Sequence, residues 1–290
     1  MSQSESQSES KSESKSESQS FTPADVAIQP RNRQHDLAEA LKGDWMRKDV
    51  FATAWFNAMS ITFPLGEQFF INSVRHYRDR ITDPKLQEEM RQFFSQEAVH
   101  LREHRRYNEM LCALRGYDLE KLEGPLRRRM SWVKKNVPAR EQLAGTAAVE
   151  HLTAVLAEKA LGDSGIFADA DPAMRDLWQW HSVEEMEHKA VAFDVYRAIG
   201  GTEKMRRAAM RRSTLFLTWD ILHGVRHILK CDGVLWSPKV WFSGVRFLFG
   251  KQGILKGTWA PYKDFFREDF HPWQEDTSHL ITQWELQQSH

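Results

Sequence analysis

Two short runs carry the chemistry: Gln96-Glu97-Ala98-Val99-His100 and Glu184-Glu185-Met186-Glu187-His188. Each contains Glu-x-x-His. On a helix, side chains three residues apart share a face, so Glu97 with His100, and Glu185 with His188, form two pincers that can each grip a metal ion. Two further glutamates stand among apolar neighbours: Glu67 in Phe63-Pro64-Leu65-Gly66-Glu67, and Glu150 in Ala147-Ala148-Val149-Glu150-His151. In chain order the set reads Glu, ExxH, Glu, ExxH, the ligand pattern of a bundle that holds two ions through carboxylates. Four buried carboxylates without a cation would repel one another and take up protons, which a metal pair avoids. The competing reading is plain ion pairing, such as Glu67 with Arg75 or Lys189.

With 12 His in 290 residues, about one accidental ExxH is expected in such a chain. Glu268-Asp269-Phe270-His271 fits that accident, because Pro272 follows at once and no helical frame surrounds it. His104 and His181 lie one turn from His100 and Glu185 and extend the same faces, which makes them extra ligands or, the preferred reading, imidazoles that orient the ligands from behind. Glu184 competes with Glu185 for the ion, being four residues before His188; the parallel with Glu97-x-x-His100 favours Glu185 and leaves Glu184 in a supporting place. His151 follows Glu150 directly, points about 100° away from it, and is left out. No residue is singled out as catalytic acid, base or nucleophile.

Helices must position these side chains, and four segments show the 3.6-residue period. They cover about 49–79, 84–114, 141–161 and 172–199, with Asp83-Pro84 and Asp171-Pro172 as start signals and Gly162 and Gly200-Gly201 as stops. Pro64 and Gly66 beside Glu67 are costly inside a helix and predict a kink, or a helix that restarts at Pro64. The basic stretch 115–140 reads as a long connection. Strand-like alternation is scarce. The chain is therefore expected to be all-α: a ferritin-like four-helix bundle with one long crossover over 31–204, and a C-terminal helical, aromatic cap over 205–290.

Residues 1–30 are expected to form a disordered tail, since the first twenty alternate Ser with Gln, Glu and Lys. The tail lacks the apolar core of a secretory signal, and Val50–Gly66 is too short and too polar to span a membrane, so a cytoplasmic protein is expected. Forty Lys+Arg balance forty Asp+Glu, which argues against a nucleic-acid partner. Two cysteines without a CxxC pair exclude a disulfide scaffold and a cysteine metal site. No P-loop, dinucleotide fingerprint or Ser-His-Asp order is present, so no nucleotide cofactor is expected.

On the residues quoted above, with Phe270-His271-Pro272-Trp273 near the end, the chain resembles the predicted metal-dependent hydrolases of ferritin-like type over roughly residues 30–280. The resemblance implies a metal held by Glu67, Glu97, His100, Glu150, Glu185 and His188, and a hydrolytic reaction. It implies no substrate.

A set dominated by carboxylates favours hard ions at high coordination number over zinc, with iron first and manganese second. Such a pair supports two chemistries, oxygen activation and attack by an activated water. Analogy with di-iron oxidases puts oxidation of a small hydrophobic substrate first, with an electron-donor protein as partner. Hydrolysis is the alternative, and metal storage or a structural metal the third. Trp236, Trp241, Phe247, Phe249 and Trp259 are expected to line an apolar entrance to the site. The basic-then-apolar order 204–222 leaves peripheral membrane contact open beside simple packing on the bundle, and a homodimer is a further open expectation.

Overall fold

The computed structural model describes residues 19–162 and 165–288. The expected tail falls largely outside them. Its last part does not: Gln19 and Ser20 donate backbone N–H groups to Asp83 Oδ2, and the Ser20 hydroxyl donates to Glu89. Further along, Phe21 N–H reaches Asp194. Residues 19–30 therefore run as a strap over the helices with one turn of its own at Pro23–Val26, because the bundle presents carboxylate acceptors to a backbone otherwise outside regular structure.

Among the described residues the protein is all-helical, with a single isolated bridge between Met46 and Ala170. The helices are α1 (Val50–Arg75), α2 (Pro84–Arg115), α3 (Leu119–Asn136), α4 (Ala139–Leu161), α5 (Pro172–His188), α6 (Val191–Ala198), α7 (Glu203–Cys231), α8 (Pro238–Phe249), α9 (Trp259–Asp264) and α10 (Ser278–Gln288). Helix α1 packs on α2, α2 on α5 and α6, these on α4, and α4 back on α1, closing a four-membered ring around the core. Asp83, Asp118, Asp171 and Thr202 cap their helices by accepting from N–H groups of the first turn.

Two expectations change. The stretch 115–140 is mostly helix α3, whose Leu122 and Leu126 are buried; its Pro125 frees only the carbonyl of solvent-exposed Lys121. The expected helix 172–199 divides at Lys189-Ala190, where both residues stay right-handed helical in φ and ψ. Lys189 there turns its ammonium to the Thr277 hydroxyl, 2.9 Å away. Helix α7 lies along both α1 and α4. Gly224 permits this, because a Cβ there would sit 2.8 Å from Ala58 Cβ.

Helix α1 runs unbroken through Pro64 and Gly66. Pro64 has no N–H to give the Ser60 carbonyl, and the Asn108 amide of α2 donates to it instead at 2.9 Å.

Candidate metal centre

Glu67 comes from α1, Glu97 and His100 from α2, Glu150 from α4, and Glu185 and His188 from the last turn of α5. None is more than 4% exposed. His188 Nε2 lies 3.3 Å from Glu97 Oε1 and 3.3 Å from Glu150 Oε2. Glu185 Oε1 is 3.7 Å from His188 Nε2, 3.6 Å from His100 Nδ1 and 3.2 Å from His181 Nε2. Overlapping groups of donor atoms, each within 4.8 Å, join Glu97, Glu150 and His188, then Glu67, Glu97 and His100, then His100, His181 and Glu185. All six expected ligands thus meet at one place, and His181 stands among them rather than behind them.

Hydrogen bonds divide the atoms that are already engaged from those that could hold an ion. Both oxygens of Glu67, Glu97 and Glu150, together with Glu185 Oε2, His100 Nδ1 and His188 Nε2, are buried without a hydrogen-bond partner. Buried polar atoms are paired almost everywhere in proteins, so a cluster of orphans from four helices has the chemistry to hold a cation. The far sides of the same imidazoles are fully engaged. His100 Nε2 donates to Glu184 Oε2 at 3.0 Å, while Glu184 Oε1 accepts from Trp180 Nε1 and from Arg31 N. His188 Nδ1 donates to Gln96 Oε1 at 2.8 Å. That direction is fixed, because the Gln96 amide nitrogen is used on Glu187 and on the Gln29 carbonyl.

A longer chain orients His181. Asn108 gives its amide nitrogen to the Ser60 carbonyl freed by Pro64, so its Oδ1 must accept, and the Ser60 hydroxyl donates to it at 2.7 Å. Ser60 Oγ then accepts from His104 Nδ1 at 2.9 Å. His104 Nε2 in turn accepts from His181 Nδ1 at 3.1 Å. With Nδ1–H committed to His104, His181 turns its Nε2 to Glu185 Oε1, 3.2 Å away. The cost of Pro64 is thereby turned into a fixed tautomer two helices away.

Without an ion the site balances itself with protons. Burial, reinforced by neighbouring carboxylates, pushes Glu67 and Glu97 well above the ordinary range. Burial also lifts Glu150 to about 7, against the pull of His188. For Glu185 the same burial is outweighed by His188 and His181, which hold it well below the usual value. His188 is raised because Glu185 and Glu150 overcome its desolvation. Glu185 is thus favoured as a carboxylate beside His188, while burial favours protons on Glu67, Glu97 and Glu150 that a cation would displace.

The remaining candidates fall elsewhere. Glu184 holds His100 and does not approach His188 as a ligand. His151 Nε2 donates to the Pro261 carbonyl at 2.9 Å. His271 caps the turn at Pro272 and contacts Asp194 at 2.9 Å, while Glu268 is 85% exposed, so the third ExxH is no pincer. The ion-pair reading of Glu67 also fails: Lys189 approaches Glu158, and Arg75 lies over the Phe94 ring. Sequence reasoning missed the strap, where Gln29 N and the Arg31 guanidinium bind Glu187. No local pattern in 19–33 announces it.

Beside the centre, a cavity of about 610 Å³ opens between α1, α3, α4 and α7, within the range of small-molecule sites. Phe69, Phe70, Met130, Val149 and Leu217 line it, and the exposed Trp132 and Phe216 mark its mouth. Met59, Phe63, Thr153 and Leu156 also wall a small hollow that reaches His181 and Glu185. Of the aromatics expected at an entrance, none lines the large cavity. Phe247 is buried against Phe56, and Trp236, Phe249 and Trp259 are exposed.

Replacing Glu184 by alanine is expected to free His100 to rotate and to weaken metal binding by about 10- to 100-fold, with the helix content unchanged. Competition with a metal chelator measures the change; unaltered affinity would show that Glu184 does not hold the ligand.

No curated protein and no solved structure matches the chain. A family model does match, over residues 29–276, and its description agrees with a buried cluster of Glu and His able to hold metal. The chain belongs to the family described as predicted metal-dependent hydrolases.

Proposed function

We propose that this protein is a hydrolase built on a dinuclear carboxylate–histidine centre of ferritin-like type, acting on a small apolar substrate. The orphaned oxygens and ring nitrogens of Glu67, Glu97, His100, Glu150, Glu185 and His188 carry this reading. Family membership favours hydrolysis as the reaction class. Bound there, iron or manganese would act as Lewis acid and lower the pKa of a water. The rest falls to the chain's own groups. The cavity between α3 and α7 takes the apolar part of the substrate and excludes solvent. Phe63 and Met59 admit its reacting end toward Glu185 and His181. His181, with its Nε2 held toward the centre by His104, Ser60 and Asn108, carries a proton between the reacting group and Glu185 at that nitrogen. Glu150, lifted to about 7 by burial, is poised to give or take one near neutral pH.

Oxidation of an apolar substrate is the second reading, favoured by one observation: the donor set has four carboxylates, which suits redox-active iron better than zinc. Turnover of medium-chain esters by the manganese- and iron-loaded protein, with and without oxygen, separates the two. Hydrolysis expects equal cleavage by both forms in anaerobic buffer. Inertness without oxygen, together with rapid oxidation of the ferrous form in air, would overturn it in favour of oxidation.

A further inference from the structure

Helices α7 and α8 both pack on one face of α1. Gly224 of α7 meets Ala58 and Gly244 of α8 meets Phe51, positions seven residues apart on α1 and therefore two turns along the same stripe. Each helix buries its inner side there and turns an apolar outer side to solvent. On α7 that side is Leu215, Trp219 and Leu222; on α8 it is Phe242, Val245 and Phe249. Trp236, in the turn between them, is 82% exposed, Phe242 74% and Trp219 63%. Large aromatics left this bare on two neighbouring helices need something to cover them.

Charge says what covers them. The chain as a whole is neutral, yet residues 204–263 hold twelve Lys or Arg and only two acidic residues. Both acids are already paired, Asp220 with Arg129 and Asp232 with Arg115. Ten of the twelve cations are exposed. They frame the apolar side chains: Arg211, Arg226 and Lys230 continue the α7 stripe at helical spacing, and Lys239 and Arg246 flank Phe242 on α8. Aromatic and aliphatic side chains fringed by Lys and Arg match a bilayer with anionic headgroups, where rings sit among the acyl chains and cations meet phosphates. A second copy of this chain would set the five cations of this face against their own copies and is disfavoured.

We infer that the α7–α8 face docks this protein on an anionic membrane surface. No helix of the described residues is long and apolar enough to cross a membrane, so the contact is peripheral. Phe216, at the cavity mouth, lies next to Leu215 of the docking stripe. A lipophilic substrate can therefore pass from the bilayer to the cavity without entering water; this last point alone rests on the proposed function.

Flotation of the full chain with vesicles tests the inference. Vesicles of phosphatidylcholine with about 30% phosphatidylserine should carry the protein up at least about tenfold better than phosphatidylcholine alone, and about 0.5 M salt should release it. Trp219→Ser with Phe242→Ser should lower flotation at least about tenfold, with thermal unfolding and metal content unchanged, since both residues are exposed. Metal-free protein should float equally well, so failure of the metal reading would leave this result standing. Absence of flotation, equal binding to neutral vesicles, or a double variant that floats like the native chain would overturn it. So would a dimer in sedimentation equilibrium that the double variant dissociates, which would assign the face to a second copy.

Discussion

Glu97→Gln and Glu185→Gln variants are each expected to fold and yet hold less than about half an equivalent of metal, against two for the native chain. Glutamine keeps the shape of the side chain and removes the negative charge, so the outcome reads ligation rather than packing. In the native protein both oxygens of Glu97 lack partners, and the metal-free state tolerates them only by protonation. At Glu97 an amide in place of an acid raised by burial leaves the metal-free state close to native in stability, whereas at Glu185 it removes the carboxylate that faces His188 and lowers that stability without removing the fold. The loaded native protein should in addition unfold later than its metal-free form, by about 4 kcal/mol at a free metal concentration a thousand times the dissociation constant, and the variants should lose that increment. Elemental analysis and a melt with and without chelator measure both. Retention of two ions by either variant would remove that glutamate from the ligand set.

Metal loading should also fall steeply with acid. Binding requires Glu67, Glu97 and Glu150 as carboxylates, and burial holds all three above the ordinary range, Glu150 at about 7. Below that value each displaced proton costs a factor of ten in apparent affinity per pH unit. Loading at pH 5.5 should thus be at least about fifteenfold weaker than at pH 7, more if several protons leave together. The linkage to folding has the matching sign. A carboxyl whose folded-state pKa is raised stabilises the metal-free fold below about 4.5 and loses that contribution as pH climbs to about 7. His100 and His104, lowered by burial and by His181, work the other way below their ordinary 6.5, so the Glu150 contribution is read as a difference. Metal-free Glu150→Gln should gain stability relative to the native chain between pH 5 and 7. A difference flat in pH would show that Glu150 stays ionised without metal.

Much of this centre is local in origin and was legible in the sequence. Glu97 with His100, and Glu185 with His188, share a helix face by spacing alone. Pro84, Pro172, Gly162 and Gly200 punctuate the chain because φ restriction and missing donors act within a few residues. The charge rule that excludes four lone buried carboxylates is likewise independent of topology. Three features arise only from tertiary structure. The apolar pattern of α3 is there in Leu122, Leu126, Met130 and Val133, but its basic face and Pro125 mask it, and only packing along α1 and α7 makes it a wall of the cavity. The strap at 19–33 has no periodicity; its order comes from Asp83, Glu184, Glu187 and Asp194, which are remote in sequence. The place of His181 depends on a proline on α1, an asparagine and a histidine on α2, and a serine between them. Spacing along one helix can bring two ligands to one side, but the direction of a proton on a ring is set by whichever partners the fold brings to its far edge.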